Sequence, residues 1–272
     1  MFPLTLAAFL FQDAKPVHPA PDAVVATIDG APITAAEIDP YLWERYSRAV
    51  IDEMVGHRLI AAEAKRKAVT ATDAEVKALV DQQIASVKAN LPPGETLESV
   101  LRSPAVGGMG RLELVARSSI LVDKLAGLDF KPDGYVKVAT IVFPTNGDTT
   151  DALTKAIKNA DTAYASLGAG KSWETVLRQY EKDDRVVKSG GLIGWKAEGA
   201  FPASVQASFA TLKPLGYTKP TQTPNGIQIF RILARGASSS STDLAELKAQ
   251  YVAGARAGVV ARLRAAAKVE VK

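Results

Sequence analysis

Groups able to act as nucleophiles, proton carriers or metal ligands are sparse in this chain. It holds two histidines, His18 and His57, and no cysteine. Thiolate catalysis and disulfides are therefore excluded, and cysteine usage says nothing of the redox compartment. His18 lies in a proline-rich stretch, His57 lies on a helical pattern near Glu53 and Glu63, and neither has the spacing of a metal cluster. A phosphate loop would need a glycine five residues ahead of Gly170-Lys171-Ser172, but Ala165 stands there, so that reading fails. Gly107, Gly108 and Gly110 have no strand in front of them and read as a flexible joint. Asp183 and Asp184 read as a solvated loop or a helix cap. The remaining concentrated signal is Ser189-Gly190-Gly191-Leu192-Ile193-Gly194-Trp195, where paired glycines turn the chain before a strand with an aromatic anchor. An apolar and aromatic run at 201–212 and a closing segment at 223–230 follow it.

These residues need a scaffold, and 272 residues can bury the core of one or two domains. Hydrophobic content of 47% with 23% charged residues is that of a folded globular chain. The net charge of +4 is spread along the sequence, which describes a solvated surface and no nucleic-acid footprint. Residues 1–11 (MFPLTLAAFLF) are apolar but too short to span a bilayer. They read as the core of an export signal that lacks its basic start. Residues 15–22 (KPVHPAPD) read as an extended tether.

Residues 23–28 (AVVATI) predict a strand, and Asp29-Gly30 a reversal. Thr34 and Glu37 have capping-box spacing, and Leu42, Tyr46, Val50, Met54, Leu59 and Ala62 recur as on one long amphipathic helix over 41–68, broken near Gly56. A second box, Thr72 with Glu75, opens a helix over 72–90 striped by Val76, Val80, Ile84 and Val87. Helical segments follow at 95–102 and 111–125. After Gly127 the pattern becomes a strand (135–143), a helix (151–167), a short helix capped by Ser172, the glycine-rich strand, a helix (204–212) and two strands (217–223 and 227–233) joined at Pro224-Asn225-Gly226. That order fits a small antiparallel α+β domain. Residues 237–242 read as a linker, 243–267 as a helix, and 268–272 (KVEVK) as a strand in need of a partner. The expected partner is 23–28. The predicted organisation is a leader and tether (1–22), a helical domain (23–130) completed by 237–272, and a sheet domain (131–236) inserted between them.

This arrangement resembles the SurA, PrsA and PpiC group of extracytoplasmic folding factors, parvulin-type peptidyl-prolyl isomerases with a helical chaperone region. The resemblance rests on VATIDGAPITAAE at 25–37, LIAAEAKRK at 59–67 and LRAAAKVEV at 263–271. Within the insert it rests on Leu167-Gly168 before Trp173, the Gly190 to Trp195 run, Ser208-Phe209, Leu212-Lys213-Pro214, and Thr223 with Gly226. It implies an α+β protein whose insert has the parvulin fold, a member of the FKBP-like superfold.

The departures bear on the chemistry. The resemblance implies a histidine on the first strand of the insert, and Thr140 stands there. It implies a second histidine on the last strand, and Gln228 stands there. Glu181 replaces a usual serine, and Asp184 falls near a position usually held by Cys or Asp. Thr140, Asp184 and Gln228 are thus the residues at the catalytic positions. Phe201, Val205, Phe209, Thr223 and Trp195 are expected to line the substrate pocket, although aromatic residues such as Trp195, Phe201 and Phe209 more often belong to a core than meet a ligand.

Prolyl isomerisation breaks no bond. It turns an amide against a barrier of about 18–20 kcal/mol, which an apolar pocket can lower without a nucleophile. Thr140 and Gln228 can donate and accept hydrogen bonds, including to each other, but cannot titrate near neutral pH.

The expectation is an exported, periplasmic or otherwise extracytoplasmic folding factor that binds unfolded or extended proline-containing polypeptide, in a groove between its two domains, with weak or absent isomerase activity. The alternatives are an active PpiC-type isomerase and a non-catalytic structural or dimerisation module. No cofactor, metal or nucleic acid is expected. A membrane-proximal location and the oligomeric state are left open.

Overall fold

The computed structural model describes residues 18–103, 105–145 and 149–271. The expected leader and the start of the tether lie outside these residues. The chain divides into two compact units, one formed by residues up to Leu125 together with those from Arg256, the other by Ala126–Ala255.

The first unit opens with an antiparallel hairpin of β1 (Val24–Ile28) and β2 (Ala31–Thr34). Asp29 and Gly30 both adopt positive φ, 50° and 85°, as a two-residue hairpin turn demands. Helix α1 (Ala35–Arg66) follows without interruption. The expected break near Gly56 is absent. Gly56 instead leaves room for the guanidinium of Arg264, which lies 3.6 Å from where a Cβ would stand. Helix α2 (Asp73–Ala89) starts at the predicted box, with the Glu75 amide donating to Thr72 Oγ1 and the Thr72 amide to Glu75 Oε2. After α3 (Leu97–Arg102), α4 (Gly108–Ala126) begins inside the glycine cluster, which therefore starts a helix and is not only a joint. Val76 and Val80 of α2 pack with Ala116, Leu112 and Ile120 of α4, so the predicted stripe is a core seam.

The second unit contains β3 (Tyr135–Phe143), α5 (Thr150–Gly168), α6 (Trp173–Tyr180), α7 (Asp184–Lys188), β4 (Leu192–Ala197), α8 (Ala203–Thr211), β5 (Thr221–Thr223) and β6 (Gly226–Arg235). The sheet is antiparallel in the order β4-β3-β6-β5. One face carries Ala139, Ile141, Phe143, Ile227 and Ile229 against α5 and α6. The other carries Val136, Val138, Phe230 and Ile232 against Val205 and Phe209 of α8. Alternate residues of a strand face opposite ways, so one pair of strands feeds two cores. The strand expected at 217–223 is shorter because Pro220 cannot join a ladder, leaving β5 and an isolated bridge at Tyr217.

Helix α9 (Ser241–Ala266) follows, longer than the linker reading of 237–242 allowed. Residues 267–271 form no strand, and β1 pairs with β2 alone among the described residues. The expected pairing of the chain's two ends is corrected here: the turn at Asp29-Gly30 brings β1 a partner only a few residues away, at a far smaller loop-closure cost. Among the described residues no helix is long and apolar enough to cross a membrane.

Candidate functional site

Thr140 lies two residues beyond Val138 on β3, and Gln228 two residues before Phe230 on β6, so both sit on the α8 face of the sheet. In register Thr140 stands opposite Phe230, and Gln228 opposite Val142. The Gln228 amide Nε2 donates to Thr140 Oγ1 at 3.3 Å, and Thr140 Oγ1 donates to the Ile229 carbonyl at 3.2 Å. Thr223 Oγ1 lies 2.6 Å from Gln228 Oε1 and 3.1 Å from the Gly226 carbonyl. A hydroxyl has one proton, and the shorter contact makes Gln228 its acceptor. The Asn225 amide in turn donates to Thr223 Oγ1. A directed chain thus runs from Asn225 through Thr223, Gln228 and Thr140 to the backbone of β6. Thr223, expected to meet substrate, spends its hydroxyl on orienting Gln228.

Gln228 is only 6% exposed, a buried amide matched on both its oxygen and its nitrogen. None of the three side chains titrates near neutrality, so this end of the site has fixed dipoles and no charge. The backbone beneath it is held by Gly191, whose amide donates to the Val186 carbonyl and whose carbonyl accepts from the Thr140 amide at 2.9 Å. Its φ is +72°, and a Cβ there would lie 2.2 Å from the Thr140 carbonyl oxygen. Gly191 is therefore required by close approach to Thr140, beyond the turn that the sequence implied, while Gly190 answers to the turn alone, with a φ of +69°.

Beyond the polar chain lies an aromatic cluster. The Phe201 ring meets Phe209 at 5.0 Å and Phe230 at 5.5 Å between centroids, both edge to face. Phe209 and Val205 are fully buried and serve as core, while Phe201 is half-buried. Two residues that sequence reasoning passed over fix this cluster. Gln206 Nε2 donates to the Phe201 carbonyl at 2.7 Å. Arg235 donates to the carbonyls of Phe209 and Leu212 at the end of α8 and to Glu198. Long polar side chains that cap a neighbouring element carry no local sequence signature, so the misses have a plain cause.

Two expected residues stand apart. Trp195 pairs with Lys137 and so faces the other side of the sheet, where it is 1% exposed. There it lines a cavity of about 370 Å³ with Tyr135, Leu247 and Tyr251, and its carbonyl accepts from Gln250 Nε2. Asp184 is exposed on α7 and hydrogen-bonds to neither Thr140 nor Gln228. The cap of α7 is Asp183, whose carboxyl is held below the usual range by Arg185, through a side-chain bond first and the Arg185 amide next.

In the first unit His57 Nδ1 lies 2.5 Å from Ser118 Oγ, and Nε2 lies 3.4 Å from Glu53. Serine, histidine and carboxylate in contact invite a nucleophilic reading. Yet Ser118 is buried in the middle of α4 and Glu53 is engaged by Arg111, so the cluster ties α1 to α4. Among the described residues no group of three or more His, Asp or Glu could hold a metal ion.

Residues 141–234 match the family model described as Rotamase, the PPIC-type PPIase domain. The matched range begins one residue after Thr140 and includes Asp184, Phe201, Thr223 and Gln228. The chaperone SurA of Methylobacillus flagellatus is 26% identical over 121 residues, 44% of this chain and 28% of that protein. The chaperone SurA of Burkholderia lata is 32% identical over 101 residues, 36% of this chain and 22% of that protein. The chain thus spans about a quarter of the length of the curated relatives it matches. The crystal structure of PrsA from Bacillus cereus shares 15% identity over 93% of this chain and 95% of its own, at a TM-score of 0.47. Residues 141–234 of this chain thus match a PPIC-type PPIase domain, and parts of the chain are similar to SurA chaperones.

Proposed function

We propose that this protein is an exported folding factor that holds unfolded or extended polypeptide, with a prolyl-isomerase site of weak or no activity. The observation that carries this reading is the closed polar chain Thr223-Gln228-Thr140 beside the half-buried Phe201. An isomerase site gains rate from dipoles or charges free to meet the twisted amide. Here the oxygen of Gln228 and the hydroxyls of Thr140 and Thr223 already have partners, while the aromatic wall beside them is kept. Such a surface favours holding an apolar or prolyl side chain over polarising its amide. Export follows the SurA relatives and the apolar residues 1–11.

The test is the catalysed cis-to-trans rate of a proline tetrapeptide, set beside suppression of aggregation of a denatured client. The expected result is a rate near that of buffer together with stoichiometric suppression, which Phe201→Ala weakens. The double variant Thr140→His with Gln228→His should raise the rate and make it depend on pH near the ordinary imidazole value of about 6.5. A wild-type rate well above buffer would overturn the weak-site reading. Absence of suppression would overturn the holding role.

A further inference from the structure

Strand β4 lies at one end of the sheet and pairs with β3 alone among the described strands. The Glu198 amide donates to the Gly134 carbonyl at 2.7 Å, and in register Tyr135 stands opposite Ala197 and Lys137 opposite Trp195. The amide and carbonyl of a strand residue point the same way and alternate along the strand. Glu198 and Lys196 therefore turn theirs toward β3, while Trp195 and Ala197 turn theirs outward. The outward carbonyl of Trp195 is met by Gln250 Nε2 at 2.9 Å. The outward amides of Trp195 and Ala197 have no acceptor among the described residues.

Along that edge lies the cavity of about 370 Å³, within the size range of a ligand pocket. Helix α9 packs its first turns tightly here: Asp243 and Glu246 bind Lys137, and Leu247 is 1% exposed. The facing stripe then loses its side chain at Gly254, where a Cβ would meet nothing within 4 Å. The cavity is the space this glycine leaves beside Tyr135, Trp195, Ala197 and Tyr251. Its wall also holds an unsatisfied donor. Trp195 is 1% exposed and its Nε1 has no acceptor among the described residues, which is a standing cost to the fold.

Lys196 borders the same cavity from the opposite face of the strand and is exposed. The carboxylates of this region are already bound, Glu198 to Arg235 and the α9 pair to Lys137. A lysine and a bulge, here at Ile193, keep an edge from pairing indiscriminately. They leave it open to a strand of the opposite charge.

We propose that this edge takes an extended polypeptide segment as a fifth strand, with an apolar or aromatic side chain in the cavity and a carboxylate beside Lys196. The amide and carbonyl of Trp195 are the two groups that an added residue exchanges with its neighbour, once the Gln250 amide swings aside. Successive side chains of a strand fall on opposite faces. The residue opposite Trp195 thus enters the cavity, and the one next to it meets Lys196. The motif recognised is an apolar residue adjacent in sequence to Asp or Glu, with no need of proline. Phe201 lies on the other face of the sheet, so this site stands or falls apart from the function proposed above.

The probe is the capped peptide Ser-Thr-Phe-Glu-Thr-Ser, added to the full-length protein in the millimolar range. Amide exchange at Trp195 and Ala197 should slow about tenfold or more as their N–H groups gain acceptors. Replacing the peptide's Phe by Ala should weaken binding about tenfold, and replacing its Glu by Lys about threefold. N-methylation of the Phe removes the donor to Trp195 and should abolish binding. In the protein, Gly254→Leu fills the cavity while raising helix propensity, so binding should be lost with the fold kept. Lys196→Glu should reverse the preference from Glu to Lys. The proposal is overturned if exchange at Trp195 and Ala197 is unchanged by the peptide, or if Gly254→Leu binds as the wild type does. Protection confined to the neighbours of Phe201 overturns it as well, and leaves the holding role above intact.

Discussion

The two units treat their aromatic residues in opposite ways. In Ala126–Ala255, Phe209, Phe230 and Trp195 are buried against both faces of one sheet, and only Phe201 reaches the surface of its cluster. In the first unit Tyr41, Trp43 and Tyr46 stand exposed on a helix whose buried residues are Ala35 at its start and Ile60 and Ala64 well past them. The same residue types thus serve as core in one place and as uncovered surface in the other. What separates them is a second layer: β3 and β6 have α5 and α6 on one face and α8 on the other, whereas among the described residues nothing buries residues 40–50 of α1.

The sharpest way to break this comparison is to shorten one aromatic side chain in each place. Phe209→Ala should cost about 3–5 kcal/mol in the unfolding of the second unit, by lost transfer energy and a cavity between α8 and the sheet. Trp43→Ala should change that same transition by less than about 0.5 kcal/mol. Urea denaturation followed by near-ultraviolet circular dichroism reads both. Equal losses would mean that the arm is packed after all.

A smaller effect is expected from Gly191→Ala. The left-handed backbone and the approach to the Thr140 carbonyl should together cost about 1–3 kcal/mol. The cost should fall on the second unit, because the clash lies between β3 and the turn before β4. The amide of Thr140 should also exchange faster, since its bond to the Gly191 carbonyl is the one disturbed. Stability and exchange both unchanged would show that the turn can move away from β3, and that the double glycine is only a turn.

Much of this was legible in the sequence because it is local. Thr72 with Glu75, Asp29-Gly30, and the alternation in 135–143 and 227–233 each carry their signal within a few residues, and the structure honours them. The positions of Thr140 and Gln228 were legible only through resemblance, and what joins them was not. That Thr223 would turn Gln228 toward Thr140 depends on the register of three strands, which no short window holds. Trp195 was placed in the pocket because its stretch looked functional, yet strand parity at Lys137 sends it to the far face. The straightness of α1 was hidden for a similar reason. Gly56 reads as a helix breaker by propensity, but Arg264, two hundred residues away in sequence, fills the space beside it.

The smallest expected effect is a pH dependence in the first unit. Lys124 and then the Thr72 amide and hydroxyl hold the Glu75 carboxyl down to about 2, from an ordinary 4.5. A carboxyl lowered on folding stabilises the fold when ionised. Its contribution is therefore complete above the unfolded value and is lost as the pH falls from about 4.5 toward 2. That loss falls on the contact between α2 and α4, since Lys124 lies on one and Glu75 on the other. The chain Thr223-Gln228-Thr140 has no group that titrates in this range, so its bonds stay as they are. The urea midpoint of the first unit should therefore drop between about pH 7 and about pH 3, with Glu75→Gln narrowing the drop. If Glu75→Gln leaves the drop unchanged, the acid sensitivity of the helical unit lies in other carboxylates. Glu53, lowered mainly by its bond to Arg111, would be the next to replace.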